Sequence, residues 1–410
     1  MATVTATAVR DRAHNGMSPR RLLARSAILF VSLGLAAEVA RMGLAIHAVR
    51  TDPVRAAAIL PDDARIAIAA ARHALDKGAA PTRPPVRALV DSALTRDATL
   101  PGAIELRALD IEARGDKARA ARLFALSSAI SRRSLPTQLW LIQHAVDRGD
   151  VAGALTHFDI ALRTSTAAPD LLFPVLMRAS ADPSIQAPLA QLLDRPSDWR
   201  IAFLHYAIEQ GGAAGMSGIV LRMRDRGAIV RGQIDQTLIG QLVAERHYAL
   251  ALRVQQRFGA VRPGLVRDPS FADPRATFPF GWELADKGEA GAARSHVDRR
   301  TILAWNSLPG GFGQVATQLL MLPPGHYRLS TRTTTASTDA EAAPYWSLTC
   351  GEEGGPQIAL LDQPNRDGVW GIADFTVPDG CAAQWLALTL RQSDMPNQAG
   401  AIAFILVSRR

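Results

Sequence analysis

The middle of this 410-residue chain repeats with a period of 34 residues, which restricts it to a stack of similar units. The dipeptide Gly115-Asp116 returns as Gly149-Asp150, in stretches with helical and not strand-like patterning. Because glycine reverses the chain easily and aspartate caps the next helix, each unit is predicted to be an antiparallel helix pair. Further positions that match in identity or size are Arg114 and Arg148, Ala118 and Ala152, Ala120 and Ala154, Phe124 and Phe158, Leu106 and Trp140, and Ser127 and Ala161.

These residues resemble the tetratricopeptide repeat (TPR) family. Its motif places large apolar residues in a first helix, then a turn, then small residues with an aromatic between them in a second helix. The match is best over residues 104–166, and weaker units extend the predicted TPR-like α-solenoid to residues 52–259. One departure is Arg107, which stands where the second unit has Leu141. The predicted packing residues are Leu106, Gly115, Ala120, Phe124, Trp140, Gly149, Ala154, Phe158 and Ala161.

The TPR resemblance implies a concave surface that binds a protein partner. Gln138, Gln143 and His144 are polar candidates for that surface on the first helix of the second unit. Such side chains are more often solvated than in contact with a partner, so this is the alternative for each of them. A protein partner is therefore expected through the helical repeats, without a defined contact residue.

The N-terminus combines a basic segment, residues 1–25, with an apolar run over residues 26–45. A positive flank before an apolar run is typical of export signals, with the cytoplasmic side at the N-terminus. The run reaches the length of a membrane span only by including Glu38 and Arg41, which can pair on one helix face. We predict a cytoplasmic tail and an uncleaved transmembrane anchor. The alternatives are a cleaved signal peptide and a buried first helix of a cytoplasmic protein.

From residue 260 onward the pattern changes from helical to strand-like. About nine apolar, partly alternating runs are separated by turns rich in Pro, Gly, Asp and Asn. Residues 260–410 are therefore predicted to form an antiparallel β-sandwich. Three segments resemble jelly-roll modules of the galactose-binding or carbohydrate-binding kind: "PFGW" at 279–282, "QLLMLPPGHYRLS" at 318–330 and "GAIAFILVS" at 400–408.

The resemblance implies a polysaccharide as a second partner. A sugar ring has an apolar face and a rim of hydroxyls, so recognition requires exposed aromatic rings with hydrogen-bonding neighbours. Trp370, beside the "PNRDG" loop, is the first choice for an exposed ring. A strand tryptophan is more often part of the core, which is the alternative for each tryptophan. The candidate glycan contacts are Trp370, Trp305, Trp282, Trp346, Arg332 and Asn365.

Both cysteines of the chain, Cys350 and Cys381, fall in the predicted sandwich. An even pair within one β domain is typical of exported proteins, so we predict a disulfide on condition of export. Two reduced, unrelated thiols are the alternative. Together with the anchor, the pair predicts a single-pass protein of the bacterial inner membrane with most of the chain in the periplasm. After signal cleavage the protein would instead be periplasmic or secreted.

Composition and motifs argue against several function classes. The net charge is +8, but only three of the 46 basic residues are lysines, and the arginines are scattered along predicted helices. A nucleic-acid-binding protein would carry a basic stripe with interleaved aromatics. No HExxH, GxSxG, Walker A or CxxC motif occurs. We expect no nucleic-acid partner, no cofactor, no metal site and no catalytic residue.

These features predict a multidomain α plus β protein with a hydrophobic helix, a TPR-like solenoid and a C-terminal jelly-roll sandwich. The expected function is that of a non-enzymatic, membrane-anchored envelope scaffold. Its repeats would bind a protein while the sandwich contacts glycan, in polysaccharide synthesis or export. One alternative is a carbohydrate-binding protein with the repeats as a stalk. A hydrolase without a visible motif is the third hypothesis.

Overall fold

A computed structural model describes the backbone of residues 19–410 and the side chains from residue 31 onward, apart from residues 225–226, 228, 230–232, 260–263, 274–275, 338–340, 352–354 and 396–397. Most of the tail predicted for residues 1–25 lies outside the described residues. The described chain has the predicted fold class: an apolar N-terminal helix, helical hairpins and a sandwich of two antiparallel sheets. It divides into two compact units, Met1–Ser165 and Thr166–Arg410. The domain boundaries predicted from composition stay predictions.

Helices make up the described part of the first unit and the start of the second. The first unit contains α1 Pro19–Thr51, α2 Pro53–Ile59, α3 Ala64–Asp76, α4 Pro84–Arg96, α5 Pro101–Ala113, α6 Lys117–Ile130, α7 Leu135–Asp147 and α8 Val151–Thr164. The second contains α9 Ala168–Ala179, α10 Pro183–Leu193, α11 Trp199–Ala207, a π-helical turn Ile208–Gly212, α12 Ala213–Arg222, α13 Ile234–Ala244 and α14 Tyr248–Phe258. Aspartate side chains accept backbone N–H groups at five helix starts, which explains where these helices begin: Asp52, Asp63, Asp116, Asp150 and Asp182.

The first helix, α1, is long and apolar. Among the residues whose side chains are described, Val31–Thr51 is long and apolar enough to cross a membrane, and only 6% of an 18-residue apolar window within it is buried. A core helix of a soluble protein would be mostly buried, so this exposure fits an anchor or a signal sequence. Glu38 and Arg41 form the anticipated ion pair, at 2.9 Å, which reduces the cost of placing both charges in an apolar segment.

The two units of the 34-residue repeat fold as matching helical hairpins, α5 with α6 and α7 with α8. The first helices begin 34 residues apart, at Pro101 and Leu135. Gly115 and Gly149 end them with φ values of +94° and +69°, which residues with a Cβ rarely adopt. Several of the predicted packing residues are buried: Leu106, Ala120, Phe124, Ala154, Phe158 and Ala161.

Side chains of α7 join the two hairpins to each other. The Trp140 ring stacks on Phe124 with centroids 4.2 Å apart, and its Nε1 donates a hydrogen bond to Glu112 at 2.6 Å. The Thr137 hydroxyl donates to Glu105 at 2.7 Å, and this glutamate is only 2% exposed. Stacking and buried hydrogen bonds therefore hold consecutive hairpins together.

Gln138 does not belong to an exposed partner surface. Its side chain is fully buried, and its Nε2 donates to the Ser128 hydroxyl at 2.9 Å. Its Oε1 lies 2.8 Å from His157 Nδ1, and burial lowers the pKa of this histidine. The sequence shows that Gln138 is polar but not which way its side chain faces. A glutamine amide can be buried when neighbouring helices supply its hydrogen-bond partners.

The sandwich consists of two five-stranded sheets. The strands are β1 Glu283–Leu284, β2 Ala290–Val297, β3 Arg300–Ser307, β4 Gly313–Leu320, β5 Gly325–Thr335, β6 Tyr345–Cys350, β7 Gln357–Asp362, β8 Trp370–Val377, β9 Gln384–Leu390 and β10 Gln398–Arg409. Sheet A has the order β1-β4-β9-β6-β7, and sheet B has the order β2-β3-β10-β5-β8. All strand pairs are antiparallel.

Strand β2, residues Ala290–Val297, was not among the runs that the sequence predicted. Its sequence, AGAARSHV, has one β-branched residue and no aromatic one, so its strand propensity is low. It pairs with β3 along its whole length and lies at the edge of sheet B. Pairing with a neighbour overrides the weak local preference.

The predicted disulfide is present and ties two parts of sheet A together. Cys350 ends β6, and Cys381 lies just before β9, with their Cα atoms 5.5 Å apart. Since β6 and β9 are adjacent in sheet A, the bridge closes the chain that leaves one strand and returns to its neighbour. A structural disulfide of this kind is typical of proteins outside the reducing cytoplasm.

Candidate functional site

A cleft of about 1010 Å³ opens on the outer face of sheet B. Phe404 of β10 is paired with Arg332 of β5, and Arg332 is paired with Trp370 of β8. Paired positions on neighbouring strands point to the same face of a sheet, so these three side chains lie side by side. They line one side of the cleft and are called the aromatic row below.

Within the aromatic row, the Trp370 ring is open to solvent and held by its neighbours. Trp370 is 45% exposed. Its ring meets Phe404 in a T-shaped contact with centroids 6.4 Å apart, and the Arg332 guanidinium lies 6.0 Å from the ring centroid. A cation–π contact and a T-shaped aromatic contact at these distances help to hold the indole in its orientation.

The segment before Trp370 is fastened by a buried glutamine. Gln363 is 4% exposed. Its Oε1 accepts hydrogen bonds from Trp346 Nε1 at 3.0 Å and from the Thr331 hydroxyl at 2.8 Å, while its Nε2 donates to Thr333 Oγ1 at 2.6 Å. These bonds fix the point at which the chain leaves β7. The loop that leads to Trp370 therefore starts from a rigid position on β5.

The β2–β3 hairpin forms a second side of the cleft. Val297 and Arg300 are paired, and the two residues between them are Asp298 and Arg299. Their φ values are +48° and +63°, as in a type I′ turn. Glycine is favoured at the second turn position because it has no Cβ, so an arginine there adopts an unfavourable backbone conformation.

The segment before β1 forms a third side, with Ser270 and Ala272 facing the cleft. The backbone N–H of Ile405 donates to the Pro269 carbonyl at 2.9 Å. Arg294 Nε donates to the Phe271 carbonyl at 2.9 Å. Bonds to two different strands hold this segment against sheet B, so the backbone that carries Ser270 has a fixed position at the rim.

Positive charge dominates the cleft. Its described lining residues include three arginines, Arg299, Arg300 and Arg332, and one acidic residue, Asp298. All four side chains are exposed. In the described part of the chain, none of the three guanidinium groups is paired with a carboxylate. The cleft therefore has donors available for a ligand.

Arginines elsewhere on the same face are neutralised. Arg328, four residues before Arg332 on β5, contacts Asp374 of β8 at 2.9 Å. Arg410 contacts the same carboxylate at 3.0 Å. The absence of such pairs at Arg332 is therefore a local property of the cleft among the described residues, not of the sheet.

The structure separates the predicted glycan contacts into two groups. Trp370 and Arg332 lie together in the aromatic row. Trp282, Trp305 and Trp346 are only 4%, 4% and 0% exposed, and they belong to the core between the sheets. Their rings cannot stack on a sugar, so these three candidates are corrected to core residues. Alternation along β3 and β6 points Trp305 and Trp346 inward, and this direction depends on the pairing register, whereas Trp282 lies just before β1.

Asn365 has a different position. It lies in the loop before Trp370, it is half-buried, and the described lining residues of the cleft do not include it. Its Oδ1 is buried and has no hydrogen-bond partner in the described structure. The structure therefore places Asn365 outside the described lining of the cleft.

Among the cleft residues that were not predicted, Phe404 supplies a second aromatic ring, and Arg299 and Arg300 supply positive charge. In the run AIAFILVS, alternation alone leaves the direction of Phe404 open, because register shifts occur between Ala401, Ile402 and Phe404. Arg299 and Arg300 follow the unrecognised strand β2, so their turn could not be placed. A signal was present in "VDRRT", since aspartate in a short polar segment is typical of a turn.

A shallower groove lies on the outer face of sheet A. Phe278 and Trp385 stack there with centroids 5.8 Å apart. The groove has a volume of about 30 Å³, and its polar lining includes Glu283, Gln314 and Thr317. It offers an aromatic surface with little room above it, because a sugar residue occupies more volume than this.

The chain matches no protein-family profile and no curated protein. Some solved structures are similar to it. The structure of TmCBM61 in complex with beta-1,4-galactotriose is similar at 14% identity and TM-score 0.25, over 36% of this chain and 100% of that chain. A family 16 carbohydrate-binding module is similar at 16% identity and TM-score 0.24, over 32% of this chain and 91% of that chain. A CBM4 structure is similar at 15% identity and TM-score 0.24, over 37% of this chain and 99% of that chain. At these identities and scores the similarity carries no argument about what this protein binds.

Proposed function

We propose that this protein binds a polysaccharide in the sheet B cleft. The observation that carries the proposal is the aromatic row, in which the exposed Trp370 ring stands beside Arg332 and Phe404 at the edge of the cleft. A pyranose can place its apolar face on the indole and direct its hydroxyls to the hydroxyl and guanidinium groups around it. The volume of about 1010 Å³ accommodates more than one sugar residue.

The proposal assigns binding without catalysis. Glycoside hydrolysis normally uses two carboxyl groups that flank the scissile bond. Among the described lining residues Asp298 is the one carboxylate, and it lies on the hairpin turn. The expected result is that incubation with any polysaccharide that binds releases no new reducing ends.

The test of binding uses the full chain purified in detergent and a panel of soluble neutral and acidic polysaccharides, with affinities measured by calorimetry. Trp370→Ala is the test variant, and Trp385→Ala on sheet A is the matched control. We expect Trp370→Ala to weaken binding by about tenfold or more, since a stacked aromatic ring contributes roughly 1.5–3 kcal/mol. Equal affinities of Trp370→Ala and wild type would place the site elsewhere. Failure to bind any polysaccharide would end the proposal.

The proposed location is the bacterial inner membrane, with α1 as an uncleaved anchor and the sandwich in the periplasm. The exposed apolar segment Val31–Thr51 and the disulfide between Cys350 and Cys381 support this location. The alternative is a cleaved signal, which yields a periplasmic or secreted protein. The mass of the mature protein extracted from membranes distinguishes the two, because cleavage removes the residues before the cleavage point.

A second proposed function is that of a scaffold, with TPR-like hairpins that hold a protein partner. Its support is the 34-residue offset between the starts of α5 and α7 and the positive φ at both turn glycines. Apolar side chains also remain exposed on α6, where Leu126 and Ile130 are 48% and 44% exposed. Crosslinking in intact membranes should then capture a protein that is lost when both residues are changed to serine. A capture pattern unchanged by these substitutions would contradict the scaffold function.

A further inference from the structure

The positive charge of the cleft arginines narrows the class of glycan that can bind more than stacking on Trp370 does. Trp370 alone would accept any pyranose with an apolar face. A neutral sugar, however, needs no cationic group, because hydroxyls are equally well bound by amides, carbonyls and other hydroxyls. The three arginines around this cleft are therefore not explained by stacking on a neutral glycan.

Two of these arginines stand on the β2–β3 hairpin, and one of them holds an unfavourable backbone conformation. Arg299 has a φ of +63° in a two-residue turn where glycine is favoured. Backbone conformations of this kind persist where the surrounding structure holds them in place, and they cluster at functional sites. The Arg299 side chain is exposed and lines the cleft, so ligand binding is the function that its position suggests.

The third arginine lies within reach of any sugar that stacks on the indole. The Arg332 guanidinium is 6.0 Å from the Trp370 ring centroid, at the next strand of the sheet. A ring stacked on Trp370 would project its exocyclic C6 group sideways from the indole. If C6 is a carboxylate, the guanidinium can form two parallel hydrogen bonds with it, as an ammonium group cannot.

From these observations we infer that the ligand is an acidic polysaccharide whose uronic acid carboxylates bind to Arg332, Arg299 and Arg300. This inference rests on the proposed glycan binding and names its substrate class. One sugar residue of the polysaccharide stacks on Trp370 and contacts Arg332. The hairpin arginines, Arg299 and Arg300, contact the carboxylate of another sugar residue of the same polysaccharide. None of these guanidinium groups forms an ion pair with a carboxylate in the described part of the chain.

The experiment compares each acidic polymer with its own carboxyl-reduced form, which keeps the linkage and removes the charge. Polygalacturonate, alginate and hyaluronate cover three kinds of uronate polymer, and poly-glutamate supplies carboxylates without sugar rings. Calorimetry on the full chain in detergent gives the four sets of affinities. We expect at least one uronate polymer to bind about tenfold or more tightly than its reduced form, and poly-glutamate to bind weakly.

Three variants locate the effect. Arg332→Gln should bring the ratio of affinities for the acidic and reduced polymers close to one, and Arg299→Gly should lower it several-fold. Arg299→Gly also tests the fold, because glycine relieves the positive φ and should leave the melting temperature unchanged or higher. The matched control is Arg328→Gln, which removes the same charge from the same strand and face but from a paired arginine outside the cleft.

The outcomes separate this inference from the proposed function. Equal binding of acidic and reduced polymers would leave glycan binding intact and overturn the acidic specificity. Binding of neither form would overturn both. Poly-glutamate binding as tight as that of the uronate polymers, or an equal effect of Arg328→Gln and Arg332→Gln, would reduce the effect to general charge attraction and overturn the inference.

Discussion

The outer faces of the two sheets in the sandwich each carry an arginine beside an aromatic ring, but the two arginines differ in their partners. On sheet B, the Arg332 guanidinium lies 6.0 Å from the Trp370 ring centroid and has no carboxylate partner in the described structure. On sheet A, Arg391 lies 4.8 Å from the Tyr345 ring centroid but is paired with Asp362. Both faces therefore present an arginine on an aromatic ring, and only one leaves its charge free.

The two faces also differ in the space above them. The cleft of sheet B has a volume of about 1010 Å³, whereas the groove beside Phe278 and Trp385 on sheet A has about 30 Å³. The hairpin with Arg299 and the segment with Ser270 rise beside sheet B and enclose the cleft. An exposed aromatic ring is therefore a site only where the neighbouring segments leave room and unsatisfied polar groups.

The largest expected effect comes from the core that both faces share. Trp346→Ala removes a fully buried ring and the hydrogen bond to Gln363, so it should lower the free energy of unfolding by about 3–5 kcal/mol. Trp370→Ala should lower it by less than about 1 kcal/mol, because the ring is exposed. Urea denaturation measures both variants. Similar losses for the two would contradict the division into core and surface tryptophans.

The disulfide tests whether sheet A and sheet B can be uncoupled. The paired change Cys350→Ser and Cys381→Ser opens a loop of 31 residues and should lower stability by about 3–4 kcal/mol. Polysaccharide affinity measured well below the unfolding temperature should not change, since both cysteines lie on the sheet A side. Adding a reducing agent to the wild type serves as the control and should reproduce the loss. A parallel drop in affinity would show that the two sides are coupled.

Gln363→Leu tests the support of the aromatic row. The substitution leaves Trp346 Nε1 without its acceptor and removes one of the hydrogen-bond partners of the Thr331 and Thr333 hydroxyls, so stability should fall by about 1–3 kcal/mol. Affinity for polysaccharide should fall as well, because the loop before Trp370 loses one of its attachments to β5. Gln314→Leu in the sheet A groove is the control and should change stability by less than about 0.5 kcal/mol. An unchanged affinity of Gln363→Leu would remove the glutamine from the positioning of Trp370.

The smallest expected effect comes from a substitution that leaves the arginine of sheet A without a carboxylate partner, as in sheet B. Asp362→Asn frees Arg391 on Tyr345 and should change stability by less than about 1 kcal/mol, because the pair is largely exposed. In a Trp370→Ala background it should not restore polysaccharide binding, since neither Arg391 nor Tyr345 lines the sheet B cleft or the sheet A groove. Binding regained in the double variant would mean that free charge is sufficient and that the room above the sheet is not required.

The outcome for the tryptophans shows how far sequence can locate a site. Trp370 stood next to a loop rich in Pro, Asn, Asp and Gly, and loops place side chains at the surface, so its exposure was predictable. Trp305 and Trp346 lie in strands with similar composition, and their direction depends on register. A shift of one residue turns every side chain to the other face. Sequence could identify the candidates but not select among them.

The sequence by itself determined the features that arise from near neighbours along the chain. A glycine with positive φ and an aspartate that caps three residues ahead act within one turn, so the hairpins at Gly115 and Gly149 were readable. The disulfide between Cys350 and Cys381 was predicted, on condition of export, because the only two cysteines of the sequence fall in one β domain. The strand content of residues 260–410 followed from turn residues and alternation, except for β2.

Only the tertiary structure decided which residues meet in the cleft. Phe404, Arg332 and Trp370 are far apart in sequence, and strand register with two irregularities brings them into one row. Whether an arginine is free or paired also depends on which carboxylate lies across the strand, as Arg328 and Arg332 show. Both properties come from pairing between distant segments, and local sequence preferences carry no information about that pairing.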